Sequence, residues 1–214
     1  GDTYYIVTPV IPDTNEGPVS VLGSTRDFRS YRPIDIINLP KNRGASLFPE
    51  KIGGKYYKLD RPGAGTGAHA SIWTSTSENL THWGEYRPLL QPDHRYFWTA
   101  TKVGPTPPIR TGKGWLVIYH GVATPSDGSH YYVGALLLDL EDPTRIIGRT
   151  ASYLLAPEAE YEKHGITDNV VFPCGVLPFY DRDELWLYYG AADTRICLAK
   201  GSLSQVVDAC LNHA

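Results

Sequence analysis

Gly112-Lys113-Gly114-Trp115-Leu116-Val117-Ile118-Tyr119-His120 is a turn signal followed by an unbroken apolar and aromatic run. It is short and rich in β-favouring residues, so it reads as an aromatic-rich strand. The same arrangement of a glycine or charged turn and an aromatic-rich strand occurs at residues 1–8, 53–59 and 181–189. Each copy is followed by a second element, at 19–28, 70–83, 131–140 and 195–200, which makes a series of hairpins along the chain. Their leading residues, Tyr4, Tyr56, Trp115 and Leu185, lie about 50 to 70 residues apart. A propeller blade is a four-stranded antiparallel sheet of roughly 40 to 50 residues plus insertions, so the period predicts an all-β propeller rather than a plain sandwich. Four repeats are the lower limit for a closed ring, and their uneven spacing fits part of a larger ring better. A non-repeating β-sandwich is the alternative reading.

The rest of the sequence agrees. Its 214 residues include 21 Gly, 17 Pro, 15 Tyr, five Trp and five Phe, a composition that favours turns and short strands over helical bundles. One helix is expected, at the C-terminus. Ser202 and Gln205 have capping-box spacing, while Leu203, Val206, Val207 and Cys210 fall on one face. We take residues 1–214 as a single, partial propeller domain. The sequence contains no methionine and enters directly at a strand, as a piece of a longer protein would.

Composition also excludes functions. A formal charge of −3 argues against a protein built to bind nucleic acid. No window approaches the roughly 18 apolar residues of a membrane span, and no secretory signal pattern is visible, so no membrane partner and a cytoplasmic location are expected. Cys174, Cys197 and Cys210 form no CxxC pair, which leaves them as free thiols and gives no metal site.

The residues able to carry chemistry sit at strand ends. Arg43, beside Asn42, and Arg61 lie eighteen residues apart in one hairpin, where two guanidinium forks can converge on a phosphate or carboxylate. The competing reading pairs them with Glu50 or Asp60 on the surface. Lys102, in a Gly/Pro loop, and His120, at a strand end, can join the same anion site; otherwise they are a solvated lysine and a histidine bonded to backbone. Residues 63–67 resemble a glycine-rich phosphate cradle only superficially, since no GK[ST] follows. Aromatic rings together with His69 and Asp193 are what a sugar site requires, because pyranose faces stack on rings while hydroxyls need polar partners. Asp168 and Asn169 are further candidates, with turn formation as their competing role.

Eight motifs in order, NRGASLFPEKI (42–52), KYYKLDRP (55–62), KVGPTPPI (102–109), GWLVIYHG (114–121), YYVGALLLDLEDP (131–143), PEAEYEKHG (157–165), NVVFPCG (169–175) and LYYGAAD (187–193), resemble glycoside hydrolase family 130 across nearly the whole chain. That family comprises β-mannoside phosphorylases and related β-mannosidases on a five-bladed β-propeller. The resemblance implies an incomplete propeller of about four blades here, with a C-terminal helix. The implied reaction is attack of inorganic phosphate on a β-mannoside, with inversion, to give α-mannose 1-phosphate. It implies phosphate binding by Asn42, Arg43, Arg61, Lys102, His120 and Tyr132. Sugar contacts are implied for His69, Asp193 and Phe172. It implies no metal and no cofactor beyond phosphate as co-substrate. Retention of both arginines and the lysine favours phosphorolysis over the alternative, a β-mannosidase using water. The family's general acid is an aspartate in a Glu-Asp-Pro-Arg motif just before the strand matching residues 1–8. The sequence begins after it, and Asp2, Asp13 and Asp27 do not stand in such a motif. No catalytic acid is therefore assigned in this chain, and a catalytically inactive sugar-binding propeller is the further alternative. An incomplete ring exposes strand edges, so association with other copies is expected.

Overall fold

The computed structural model describes residues 2–13, 16–63 and 70–212. Its strands form four antiparallel sheets in chain order. The first contains β1 (Tyr4–Val10), β2 (Val19–Thr25) and β3 (Arg32–Ile36). The second contains β4 (Asn42–Leu47), β5 (Tyr56–Pro62), β6 (Ile72–Ser77) and β7 (Gly84–Leu90). The third has β8 (Lys102–Pro105), β9 (Ile109–Arg110), β10 (Trp115–Ala123), β11 (His130–Leu138) and β12 (Ile146–Arg149). The fourth has β13 (Val171–Phe179), β14 (Glu184–Ala191) and β15 (Arg195–Ser202).

The four repeated strands are β1, β5, β10 and β14, and each pairs with the hairpin partner read from the sequence. In the second, third and fourth sheets the repeated strand is interior, with β4, β8 or β13 on its other side. β10 illustrates the reason: all of its residues except Ala123 are buried, as a strand packed on both faces demands.

Each sheet packs face to face on the next. Leu22 and Ile37 of the first meet Leu47 and Tyr56 of the second. Leu59 and Ile72 of the second meet Trp115, Val117 and Leu136 of the third. Ile118, Val133 and Leu137 of the third meet Val171, Leu185 and Tyr189 of the fourth. Successive blade-on-blade cores are the propeller arrangement and exclude the two-sheet sandwich. Gly134 permits one close approach, since a Cβ there would lie 2.2 Å from the Trp98 ring that covers the third sheet.

The C-terminal helix α2 follows α1 (Glu160–Lys163) and spans Leu203–Leu211. Ser202 caps α2 by accepting the Gln205 N–H at 3.1 Å, and Leu203, Val207 and Cys210 are buried against the third and fourth sheets. Among the described residues no helix is long and apolar enough to cross a membrane.

Candidate functional site

The inner ends of the blades converge on a cavity of about 820 Å³. Arg43 comes from β4, Arg61 from β5, Lys102 from the first position of β8, Tyr131 from β11, Phe172 from β13, and Asp193 from the β14–β15 turn. Register accounts for part of this. Val122 pairs with Lys102 on one side and Tyr131 on the other, while Ala70 bridges to Lys102 and ties the second sheet to the third.

The local backbone is shaped for the two arginines. β4 and β5 pair at Asn42↔Pro62 and Ala45↔Asp60, so Arg43 and Gly44 together face Arg61 alone. This is a β-bulge, which bends a strand and re-aims its side chains. Asp193 also has unusual backbone, with φ of 54° in a turn whose Ala192 carbonyl accepts the Ile166 N–H at 3.0 Å.

The site carries three cations, Arg43, Arg61 and Lys102, against one carboxylate, Asp193. Among the described residues Arg43, Arg61 and Lys102 form no ion pair. The surface pairing weighed for the arginines does not occur: Glu50 pairs with Arg110 at 2.9 Å and Asp60 with Lys58. Burial pushes the pKa of Arg61 down, Tyr131 opposes that shift, and the Arg43 charge adds to it.

His120 lies behind these cations. It is 3% exposed, its ring packs on Phe172 at 4.7 Å between centroids, and its Nε2 has no hydrogen-bond partner among the described residues. Burial, then the charges of Arg61 and Lys102, drives its pKa down from 6.5 to about 3. It is thus a neutral imidazole with a free ring nitrogen. Gly104 makes the approach possible, because a Cβ there would lie 2.3 Å from His120 Cε1 and 2.7 Å from Arg61 Cδ.

The structure brings together Arg43, Arg61, Lys102, His120, Phe172 and Asp193. It separates two other residues from them. Tyr132 points to the opposite face of β11, against Tyr153 at 5.1 Å and Phe97 at 5.7 Å, because successive side chains on a strand alternate. Its neighbour Tyr131 takes the cavity position instead. Asn42 is buried below the cavity and bonds Asp60, Gly44 and Arg61. His69 lies outside the described residues, as do residues 64–67 of the glycine-rich stretch. Asp168 has the turn role weighed for it, accepting the Gly165 N–H at 3.0 Å. Among the described residues no group of three His, Cys, Asp or Glu is placed to hold a metal ion.

Residues 10–212 match the profile of glycoside hydrolase family 130, described as beta-1,4-mannooligosaccharide phosphorylase. A beta-1,2-mannobiose phosphorylase of Listeria innocua is 36% identical over 97% of this chain and 56% of its own length. Its solved complex with beta-1,2-mannobiose superposes with a TM-score of 0.89, covering 98% of this chain and 57% of that one. A beta-1,4-mannooligosaccharide phosphorylase of Ruminococcus albus is 37% identical over 92% of this chain and 59% of its own length. A 1,2-beta-oligomannan phosphorylase of a Thermoanaerobacter species is 43% identical over 74% of this chain and 50% of its own. The chain thus spans little more than half the length of these relatives. With the family profile spanning almost every residue and the fold shared with a solved relative, the chain belongs to glycoside hydrolase family 130, whose members are five-bladed β-propellers.

Proposed function

We propose that this cavity is the phosphate and mannose site of a β-mannoside phosphorylase. The observation that carries the reading is a set of cations that form no ion pair among the described residues: Arg43, Arg61 and Lys102 face one cavity, and the unpartnered Nε2 of His120 lies beside Arg61. Two guanidinium forks and an ammonium suit a multiply charged oxyanion, and a neutral imidazole adds a hydrogen bond without further charge. Hydrolysis by water needs no such set, so the arrangement favours phosphorolysis.

In this reading an oxygen of inorganic phosphate attacks the anomeric carbon of the mannosyl unit with inversion. The bond to the leaving oxygen breaks, that oxygen takes a proton, and α-mannose 1-phosphate and a shortened acceptor result. The cations offset the repulsion between phosphate and the electron-rich sugar and hold the nucleophile in line. Phe172 and Tyr131 offer ring surface to the pyranose, and Asp193 accepts hydrogen bonds from its hydroxyls. The proton is the task of the aspartate in the Glu-Asp-Pro-Arg motif that the family resemblance implies, and none of the described carboxylates is given that role. Phosphate is the only co-substrate and no metal or cofactor takes part. The phosphate-rich cytoplasm is the setting that suits such an enzyme.

The relatives differ in linkage and acceptor while sharing phosphorolysis of mannosides by name. The test is release of phosphate from α-mannose 1-phosphate supplied with a panel of acceptor sugars. Acceptor-dependent release is the expected result for a form that carries the Glu-Asp-Pro-Arg aspartate. Binding of a mannoside with no release under any acceptor, even with that aspartate present, would identify a sugar-binding propeller instead.

A further inference from the structure

Beneath the two cavity arginines lies a buried polar network with no direct access to a ligand. Lys58, Asp60 and Ser75 are each at most 1% exposed, and Asn42 is 5% exposed. Lys58 Nζ pairs with Asp60 Oδ2, which also accepts from Ser75 Oγ at 2.8 Å. Asp60 Oδ1 accepts from Asn42 Nδ2 at 3.2 Å. The ammonium of Lys58 further sits over the Trp83 ring at 4.9 Å.

The other end of the Asn42 amide gives the network its direction. Its Oδ1 accepts two backbone N–H groups, from Gly44 at 3.3 Å and from Arg61 at 3.2 Å. Both belong to the bulge, where two residues of β4 face one of β5 and the regular ladder is interrupted. A backbone N–H deprived of its ladder partner needs another acceptor. Asn42 supplies one for both strands, and Asp60 fixes which way round the amide sits by accepting from its nitrogen.

We infer that Asn42, oriented by the Lys58–Asp60 pair, is a positioning residue that locks the bulge and thereby aims Arg43 and Arg61 into the cavity. A buried ion pair is a poor device for stability alone, since well-packed apolar residues of similar volume often do as well or better. What it adds here is a fixed polarity for the amide that joins the two arginine-bearing strands. The link from arginine aim to phosphate affinity rests on the phosphate reading above, whereas the link from the network to the bulge does not.

The test uses two variants, Asn42→Leu and the double substitution Lys58→Met with Asp60→Leu, which removes both buried charges at once so that neither is stranded. Two readouts are taken on each: titration calorimetry with inorganic phosphate, and hydrogen exchange at the Gly44 and Arg61 amides, alongside thermal unfolding. The expected result is a folded double variant with phosphate affinity about tenfold or more weaker and faster exchange at both amides, matched by Asn42→Leu. Folded variants with parental exchange at Gly44 and Arg61 and parental phosphate affinity would overturn the inference. If the parent binds no phosphate while exchange at the two amides still accelerates, the phosphate reading fails and the locking of the bulge stands.

Discussion

Lys58 and Arg61 stand three residues apart on β5, both drawn from water, yet one is matched and the other is not. The side chain of Lys58 is fully buried and meets a carboxylate and an aromatic ring. Arg61 faces Arg43 and adjoins His120, and no carboxylate pairs with it among the described residues. Burial lowers the pKa of both, but only Lys58 has a carboxylate partner to counter the shift. Desolvating a cation is costly unless something compensates it. At Lys58 the compensation is built into the fold, and at Arg61 the proposed phosphate would provide it.

The contrast can be broken at several points. Asp60→Ala strands the Lys58 ammonium and should cost about 3–5 kcal/mol in urea unfolding, the usual result of removing one member of a buried pair. A loss near zero would mean that Lys58 escapes to water. Arg61→Ala should behave in the opposite way, leaving stability unchanged or improved while phosphate binding weakens by about 1.5–3 kcal/mol in calorimetry. Unchanged phosphate affinity would remove Arg61 from the site.

Gly104→Ala tests how tightly the unmatched group is packed, because the new methyl would press on His120 and Arg61 together. About 1–3 kcal/mol of destabilisation is expected, together with weaker phosphate binding. Parental affinity in that variant would show that the two side chains do not need their observed approach. A graded effect comes from His120. Its folded pKa is depressed, so the unfolded chain takes up the proton first as acid is added. The histidine's contribution is therefore complete above pH 6.5 and is lost as pH falls from 6.5 toward about 3. The slope is at most about 1.4 kcal/mol per pH unit. His120→Gln should flatten unfolding free energy across that window, and an unaltered slope would place the acid sensitivity elsewhere.

Much of the fold was legible because a strand buried on both faces must be almost wholly apolar. Trp115 to Val122 announces itself, and its three counterparts share the preceding turn. The strands β4 and β8 were harder to place, since each is short and carries a cation that faces the cavity, Arg43 or Lys102. The cations were legible as residue types at strand ends. Tyr132 in place of Tyr131 is an error of one position, which on a strand reverses the face, and only the register with Val122 decides it. The family resemblance puts Asn42 among the phosphate contacts, whereas its side chain turns inward to Asp60 across the bulge. Bulges and buried pairs such as Lys58–Asp60 depend on contacts between strands that no local pattern announces.

The most direct test of the central claim is a crystal structure of the protein grown with inorganic phosphate. The account predicts one phosphate in the cavity, bonded by Arg43, Arg61 and Lys102 and accepting from the His120 ring nitrogen. A cavity without the anion under saturating phosphate, or arginines turned to carboxylates of the protein, would contradict it.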